Sequence, residues 1–429
     1  MWAYWIFMLL ESFFINLFLP EGALALEDSI YVILIIVDAV VLLFMLGSRY
    51  AHDTNFAILI TCGVLFRLAL LFWSEYYSHI FTLPNSGADE FTYYYNAMSN
   101  LVKDKSFTGY ASFYAWQARI YGLSKVFGKY INLLFSISAI TILRKILIRL
   151  RISRNVQTIT LAFACLLPNY AILSSLLLRE SVLVLLIAIA VYCLICWWQE
   201  GRLRYVAMSL AAALVGAWLH SGVIAYALGI FCVVLSTKRT ARGHHFVFSS
   251  VRTIGLTVAA TAVILFVLLR VETGLTIYFR GADSLADIVS IADAYEDGGS
   301  AYNANIVSNE SVLGFIINTP VRMLFFLLAP MPWDWRSGTD AIAFIMSGLF
   351  YGYVFFTALP YMRRYRERPI LSVLFLIALL TLIVFSWGVS NSGTALRHRD
   401  KMVIHYLLIF AIMQDEKIKQ RRGLRREYQ

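Results

Sequence analysis

Long apolar stretches separated by short polar ones run the length of the chain, and most of them have no period-two alternation. Stretches such as 30-IYVILIIVDAVVLLFML-46 and 252-RTIGLTVAATAVILFVLLRV-271 are about long enough to cross ~30 Å of hydrocarbon as helices. A transmembrane β-barrel would show short alternating segments instead. The pattern predicts an all-α polytopic integral membrane protein of about twelve spans, near 1–19, 30–47, 56–74, 130–148, 156–176, 181–198, 205–219, 222–237, 252–271, 339–358, 370–387 and 401–414. No repeat period is visible, so residues 1–429 are expected to form a single membrane domain. The N-terminal MWAYWIFMLLESFFINLFLP has neither a basic leader nor a small-residue cleavage site and is expected to be a retained helix.

Composition agrees with this picture. The chain is 60% hydrophobic and only 14% charged, with a mean hydropathy of +0.71, which is more apolar surface than one water-soluble core can use. Its net charge of +10 falls unevenly. Arg49, Arg144 to Arg154, Arg202 and Arg204, Lys238 to Arg242, Arg363 to Arg368 and the tail 415–429 occupy alternate connections. By the positive-inside rule those face the cytoplasm, with both termini. The charge then reflects sidedness: anionic membrane lipids are the expected partner and nucleic acid is not. The opposite connections include two large outer loops, 75–129 and 272–338. The second ends in 312-VLGFIINTPVRMLFFLLAPMPWDW-335, whose prolines and tryptophans suit a re-entrant or interfacial helix.

Ionisable residues are costly near a bilayer, and here they converge on the predicted outer side. Asp89 and Glu90 stand in 86-SGADEFTYYYNAMSN-100, Arg179 and Glu180 at one outer turn, His220 and Ser221 at the next. Arg322 and Trp333 share that side with Arg397, His398, Arg399, Asp400 and Lys401. Arg forks suit phosphate, a carboxylate can take a proton from a sugar hydroxyl, and flat aromatics such as Tyr94 suit sugar rings. Each has a plainer alternative. Arg179 and Glu180 could close a hairpin as an ion pair, His220 could be a core histidine, and Tyr93 to Tyr95 could be an interfacial belt. Arg67, mid-span, carries no assigned role. Cys193 and Cys196 form a C-x-x-C inside an apolar helix and read as small buried residues. Acids 283 to 297 of the second loop read as solvated, and neither a metal nor a cofactor is expected.

The stretch from 177 to 229, with Arg179 opening one helix and His220 and Ser221 opening another, resembles the middle of EpsG/Wzy-type bacterial polysaccharide polymerases. The acidic pair beside tyrosines in 87-GADEFTYYY-95 is similar to the first outer loop of GT-C membrane glycosyltransferases, although it follows the third predicted span here rather than the first. The strings 320-PVRMLFFLLAPMPWDW-335 and 397-RHRDKMVI-404 are similar to polymerase-like members of that class. The resemblance implies a GT-C-like fold. It implies transfer of a growing glycan from undecaprenyl diphosphate to another lipid-linked repeat unit at the outer face. Arg179, Glu180, Tyr94, Arg322, Trp333, Arg397, His398 and Arg399 would then contact diphosphate or glycan, with Asp89, Glu90 and His220 in catalysis. A chain-length regulator and a flippase of the same pathway are the partners it implies. The alternatives are a GT-C transferase using a polyprenyl-monophosphate sugar, an O-antigen-type ligase, an acyltransferase built around His220, and a lipid-linked oligosaccharide flippase or transporter.

Overall fold

Proline and glycine positions decide where the apolar runs start and stop as helices. The computed structural model describes residues 1–18, 27–103, 109–240, 243–246, 300–308, 312–364 and 369–427. The predicted span 252–271 and residues 272–299 of the predicted second outer loop lie outside the described residues. Among the described residues the regular elements are helices apart from one antiparallel hairpin, β1 (Thr237–Thr240) with β2 (Gly243–Phe246). Six helices there are long and apolar enough to cross a membrane: 28–49, 54–76, 125–149, 180–200, 338–361 and 369–387. This is a polytopic membrane protein.

Two compact units are distinguishable, Met1–Lys145 with Leu161–Leu185, and Ile146–Thr160 with Leu186–Gln429. In the first, α1 (Trp2–Phe18), α2 (Asp28–Arg49) and α3 (Thr54–Tyr76) precede two helices within the connection 75–129 expected to be an outer loop, α4 (Ala88–Lys103) and α5 (Tyr110–Tyr121). Helix α6 (Lys125–Arg149) follows. Helices α4 and α5 pack on each other, Gly109 (φ 72°) and Gly122 (φ 90°) bounding α5 in conformations that favour glycine.

The predicted span 156–176 is not one helix. It divides into α7 (Arg154–Leu166) and a short α8 (Pro168–Leu173), and residues 174–179 are not helical before α9 begins at Glu180. The cause is Pro168, which has no N–H to donate to Ala164 four residues earlier. Arg67, fully buried in α3, supplies what the proline lacks. Its Nη2 donates to Ala164 O at 3.2 Å and its Nη1 to Cys165 O at 2.6 Å. Nε donates to Ser174 Oγ at 2.8 Å, and the guanidinium lies 5.0 Å from the centre of the Tyr170 ring. The arginine without an assigned role is therefore the cap of a broken helix.

Helix α9 (Glu180–Glu200) starts in the first unit and continues into the second, where α10 (Leu203–Leu219) and α11 (Ile224–Ser236) follow it through tight turns. Beyond the hairpin come α12 (Val312–Leu328), α13 (Gly338–Ala343), a π-helical turn at Phe344–Gly348, and α14 (Leu349–Arg364). Then follow α15 (Pro369–Trp387), α16 (Ser392–Asp400) and α17 (Val403–Glu427). Helix α15 is central and packs on α11, α12, α14 and α17. Lipid tails give apolar helices no hydrophobic reason to associate, so close backbone approach matters. A Cβ added at Gly348 would stand 2.6 Å from Leu328 O, and one at Gly352 would stand 2.7 Å from Leu328 Cδ2. This small-x-x-x-small pair lets the start of α14 lie against the end of α12.

Candidate functional site

Each unit holds a polar cluster. In the first unit it is built around the non-helical residues 174–179, whose backbone groups need partners from elsewhere. Asn132 of α6, fully buried, donates from Nδ2 to both Leu176 O and Leu178 O at 2.8 Å, and also contacts Tyr110 Oη. Glu90, 3% exposed on the first turn of α4, accepts from Leu177 N at 2.9 Å and from Gly87 N at 3.3 Å. The fully buried Lys129 lies 3.3 Å from Glu90, 2.9 Å from Glu75 and 2.9 Å from Ser74 Oγ. Leu173, Leu176 and Leu178 form a small apolar cluster against which Tyr93 packs, with Tyr93 edge-on to Tyr110 at 4.9 Å.

The acidic pair thus divides by environment. Glu90 is tied to backbone and lysine, whereas Asp89 is half-buried beside it. Tyr94 is half-buried too, and its hydroxyl is held above the ordinary phenol range first by burial and then by the neighbouring charge of Asp28, so it stays protonated. Arg179 is half-buried immediately before α9, and its Nε is buried with no hydrogen-bond partner among the described residues. Glu180 is buried as the first residue of α9, where a carboxylate suits the positive end of the helix dipole.

In the second unit the cluster surrounds Phe385 of α15. Asn391 caps α16 by accepting from Gly393 N at 2.9 Å and Thr394 N at 3.2 Å, which sets the rotation at which 397-RHRDK-401 leaves the turn. His398 meets His220, their Nε2 atoms 3.2 Å apart and their rings perpendicular. Both rings contact Phe385, at 5.9 Å for His220 and 5.4 Å for His398, and Lys401 Nζ lies 5.8 Å from the same ring. Lys401 is fully buried and was not among the expected site residues. Arg397 is half-buried.

Two of the expected phosphate ligands are engaged within the protein. Arg399, 2% exposed, donates from Nη1 to Phe326 O and Leu327 O at 3.2 and 2.7 Å, and from Nε to Ser347 Oγ at 3.0 Å. It caps the carbonyl end of α12 and ties down the π-helical turn. Burial pushes its pKa down to about 10, so it remains a cation at neutral pH. Arg322, also 2% exposed, donates to Asn305 Oδ1 at 2.7 Å and lies 4.4 Å from the centre of the Trp387 ring. Asp400 accepts from Tyr351 Oη at 2.8 Å. Trp333 is 73% exposed in the turn after α12. Residues 300–308 run beside the lead-in to α16, with Tyr302 N donating to Ser390 O and Ser392 N to Ser300 O, both at 2.9 Å. Burial also raises the Tyr302 hydroxyl above its usual range, against the opposing field of Arg322 and Arg399.

The class that fold and clusters define is a helical, multi-span membrane protein with a broken helix and internal cationic and acidic groups. Comparison with protein-family models, with curated proteins and with solved structures gives no match.

Proposed function

We propose that this chain is a membrane glycosyltransferase of the polysaccharide-polymerase type. In this reading it takes a growing glycan from undecaprenyl diphosphate and joins it to another lipid-linked repeat unit at the outer face of a bacterial inner membrane. The observation that carries the reading is the grouping of His220, His398 and the buried Lys401 around Phe385, with Arg397 beside His398 in the chain. A membrane protein keeps so many basic groups together at a cost, and a departing diphosphate is an anion that offsets it. A base takes the proton of the acceptor hydroxyl, and Asp89 of the first unit is the candidate for it by the resemblance of 87-GADEFTYYY-95. The hydroxyl oxygen bonds to the anomeric carbon of the donor glycan, the bond from that carbon to the phosphate oxygen breaks, and undecaprenyl diphosphate leaves with the electron pair. Arg397, of the second unit, is the diphosphate ligand; Arg179, of the first, is a candidate for substrate contact by the resemblance of its stretch alone. Arg399 and Arg322 hold backbone and loop.

The test is product synthesis by the purified chain in liposomes supplied with undecaprenyl-diphosphate-linked repeat units. A ladder of products is expected, lost in Arg397→Ala, Arg179→Ala and Asp89→Asn at unchanged protein level. Normal ladders from all three variants overturn the assignment. A single sugar added from a polyprenyl monophosphate points to the simpler GT-C reaction.

A further inference from the structure

Asp38 stands near the middle of α2, a helix long and apolar enough to cross a membrane, and is 0% exposed. An acid is expensive in that position, and glycosyl transfer as proposed above makes no use of it. Its side chain meets that of Glu11 on α1, carboxyl to carboxyl, within hydrogen-bonding reach. Yet both oxygens of Asp38 are buried, and no N–H or O–H among the described residues donates to them. Among the described residues no lysine, arginine or histidine pairs with either acid.

The other ionisable groups that face the pair are tyrosines: Tyr4 of α1, Tyr121 at the end of α5 and Tyr130 of α6. Tyr4 donates to the backbone carbonyl of Asp38 at 3.0 Å, so in the 2.6 Å contact between Tyr4 and Tyr130 the proton comes from Tyr130. Both of these hydroxyls are thereby spent. Two carboxylates in contact repel, and with no cation or spare donor beside them the contact is closed by a proton that the two groups hold as a unit. Burial decides which group carries it. Asp38 is sealed while Glu11 is half-buried, so Asp38 is the neutral donor and Glu11 the carboxylate that accepts. A cavity of about 370 Å³ beside the last two turns of α2 runs from the exposed Ser48 and Arg49 to Tyr4, the residue bonded to the Asp38 backbone. We infer that Glu11 and Asp38 form a proton-binding site in the first unit, a single proton shared between α1 and α2, whose release sets two charges against each other where these helices meet. The inference is independent of the polymerase reading.

Infrared spectroscopy of the full-length protein in liposomes tests it, through the C=O stretch of a protonated carboxyl. Subtracting the spectrum of Asp38→Asn at neutral pH should isolate one such band in the wild type, and the band should vanish at alkaline pH. Identical spectra for the two proteins show an ionised Asp38 and overturn the inference. The band should also shift in wild-type protein labelled with 13C-aspartate, a check that needs no variant; an unshifted band overturns Asp38 as the donor. In Asp38→Asn the Asn amide replaces the shared proton, so Glu11 should stay ionised. A protonated band present in Asp38→Asn and absent from Asp38→Asn/Glu11→Gln reveals a second proton and overturns the sharing. Exchange of sodium for a bulky organic cation should leave the wild-type band unchanged. A band that grows shows that the pair takes a metal cation in place of the proton, which overturns the ligand.

Stability supplies the second readout. Loss of the proton leaves two carboxylates in contact, so the wild-type melting temperature should fall as pH rises above neutral. Asp38→Asn and Glu11→Gln each retain a single acid, which has no partner to repel, and the fall should shrink in both. A fall of equal size in all three proteins overturns the inference.

Discussion

The carboxylate of Glu90 and the backbone N–H of Leu177, 87 positions apart, meet at 2.9 Å in the buried part of the first unit. This contact answers the central structural problem there, since residues 174–179 interrupt helical bonding among apolar helices. Unsatisfied backbone groups are expensive away from water. Glu90 and Asn132 come from two different helices to satisfy them, Arg67 caps Ala164 and Cys165 ahead of the break, and Lys129 balances the charge of Glu90.

Removing the Glu90 carboxylate should destabilise the first unit strongly. Breaking one side of a buried ion pair costs about 3–5 kcal/mol because the other charge stays behind. Lys129 keeps Glu75 at 2.9 Å, which places Glu90→Ala near the lower end, while Glu90→Gln retains an acceptor for Leu177 N and should lose less. Thermal unfolding of the purified protein in detergent, followed by a thiol-reactive dye, ranks the two. A Glu90→Gln melt as low as that of Glu90→Ala contradicts the acceptor role.

Asn132→Leu keeps a similar volume but strands the carbonyls of Leu176 and Leu178, each at a cost of about 1–3 kcal/mol. Hydrogen exchange read by mass spectrometry should then rise in the peptide covering residues 174–180 before it rises elsewhere. Uniform exchange across the first unit would instead show that Asn132 is not specific to the break.

Arg67 and Pro168 should be coupled. Arg67→Leu leaves Ala164 O and Cys165 O without their donor, whereas Pro168→Ala restores an N–H that can reach Ala164. The double variant is expected to be more stable than the sum of the singles by about 0.5–3 kcal/mol, as a thermodynamic cycle on contacting residues can show. Additive melts remove the capping explanation.

Gly222→Ala drives a methyl group into Phe385, and overpacking of this kind costs about 1–3 kcal/mol. Phe385→Leu should relieve the clash, so the melting temperature of the pair should exceed that of Gly222→Ala alone. A melt for Gly222→Ala equal to the wild type would show that the turn has room.

What the sequence makes legible follows from how few answers a pattern allows. A run of about twenty apolar residues in a membrane chain has one backbone solution, so the long helices near 30–47, 56–74, 130–148, 181–198 and 370–387 can be read directly. Helices α4 and α5 carry too many polar residues to stand out and are held by each other. Pro168 is visible in the sequence, but whether proline kinks or ends a helix depends on which group replaces the lost donor, and Arg67 lies about a hundred positions away. The basic string 397-RHRDK-401 looks like one cationic patch. Helical rotation of about 100° per residue instead sends Arg399 to the carbonyls of α12, His398 to His220 and Asp400 to Tyr351.

The same rotation separates Asp89 from Glu90, which adjacency leaves equivalent. Glu90 is buried and spends both oxygens on Leu177, Gly87 and Lys129; Asp89, one step round α4, is half-buried. Loss of a carboxylate that acts on a reacting hydroxyl lowers turnover by about 10²- to 10⁴-fold and leaves folding intact. Asp89→Asn should therefore keep the wild-type melt and expression level while its glycan ladder disappears. Glu90→Gln should show the reverse, with reduced yield and melting temperature but a ladder proportional to the protein that remains folded. Measuring ladder intensity per folded molecule for both variants decides between them. A normal ladder from Asp89→Asn would move the general base elsewhere, and a ladder lost in Glu90→Gln at wild-type stability would return it to Glu90.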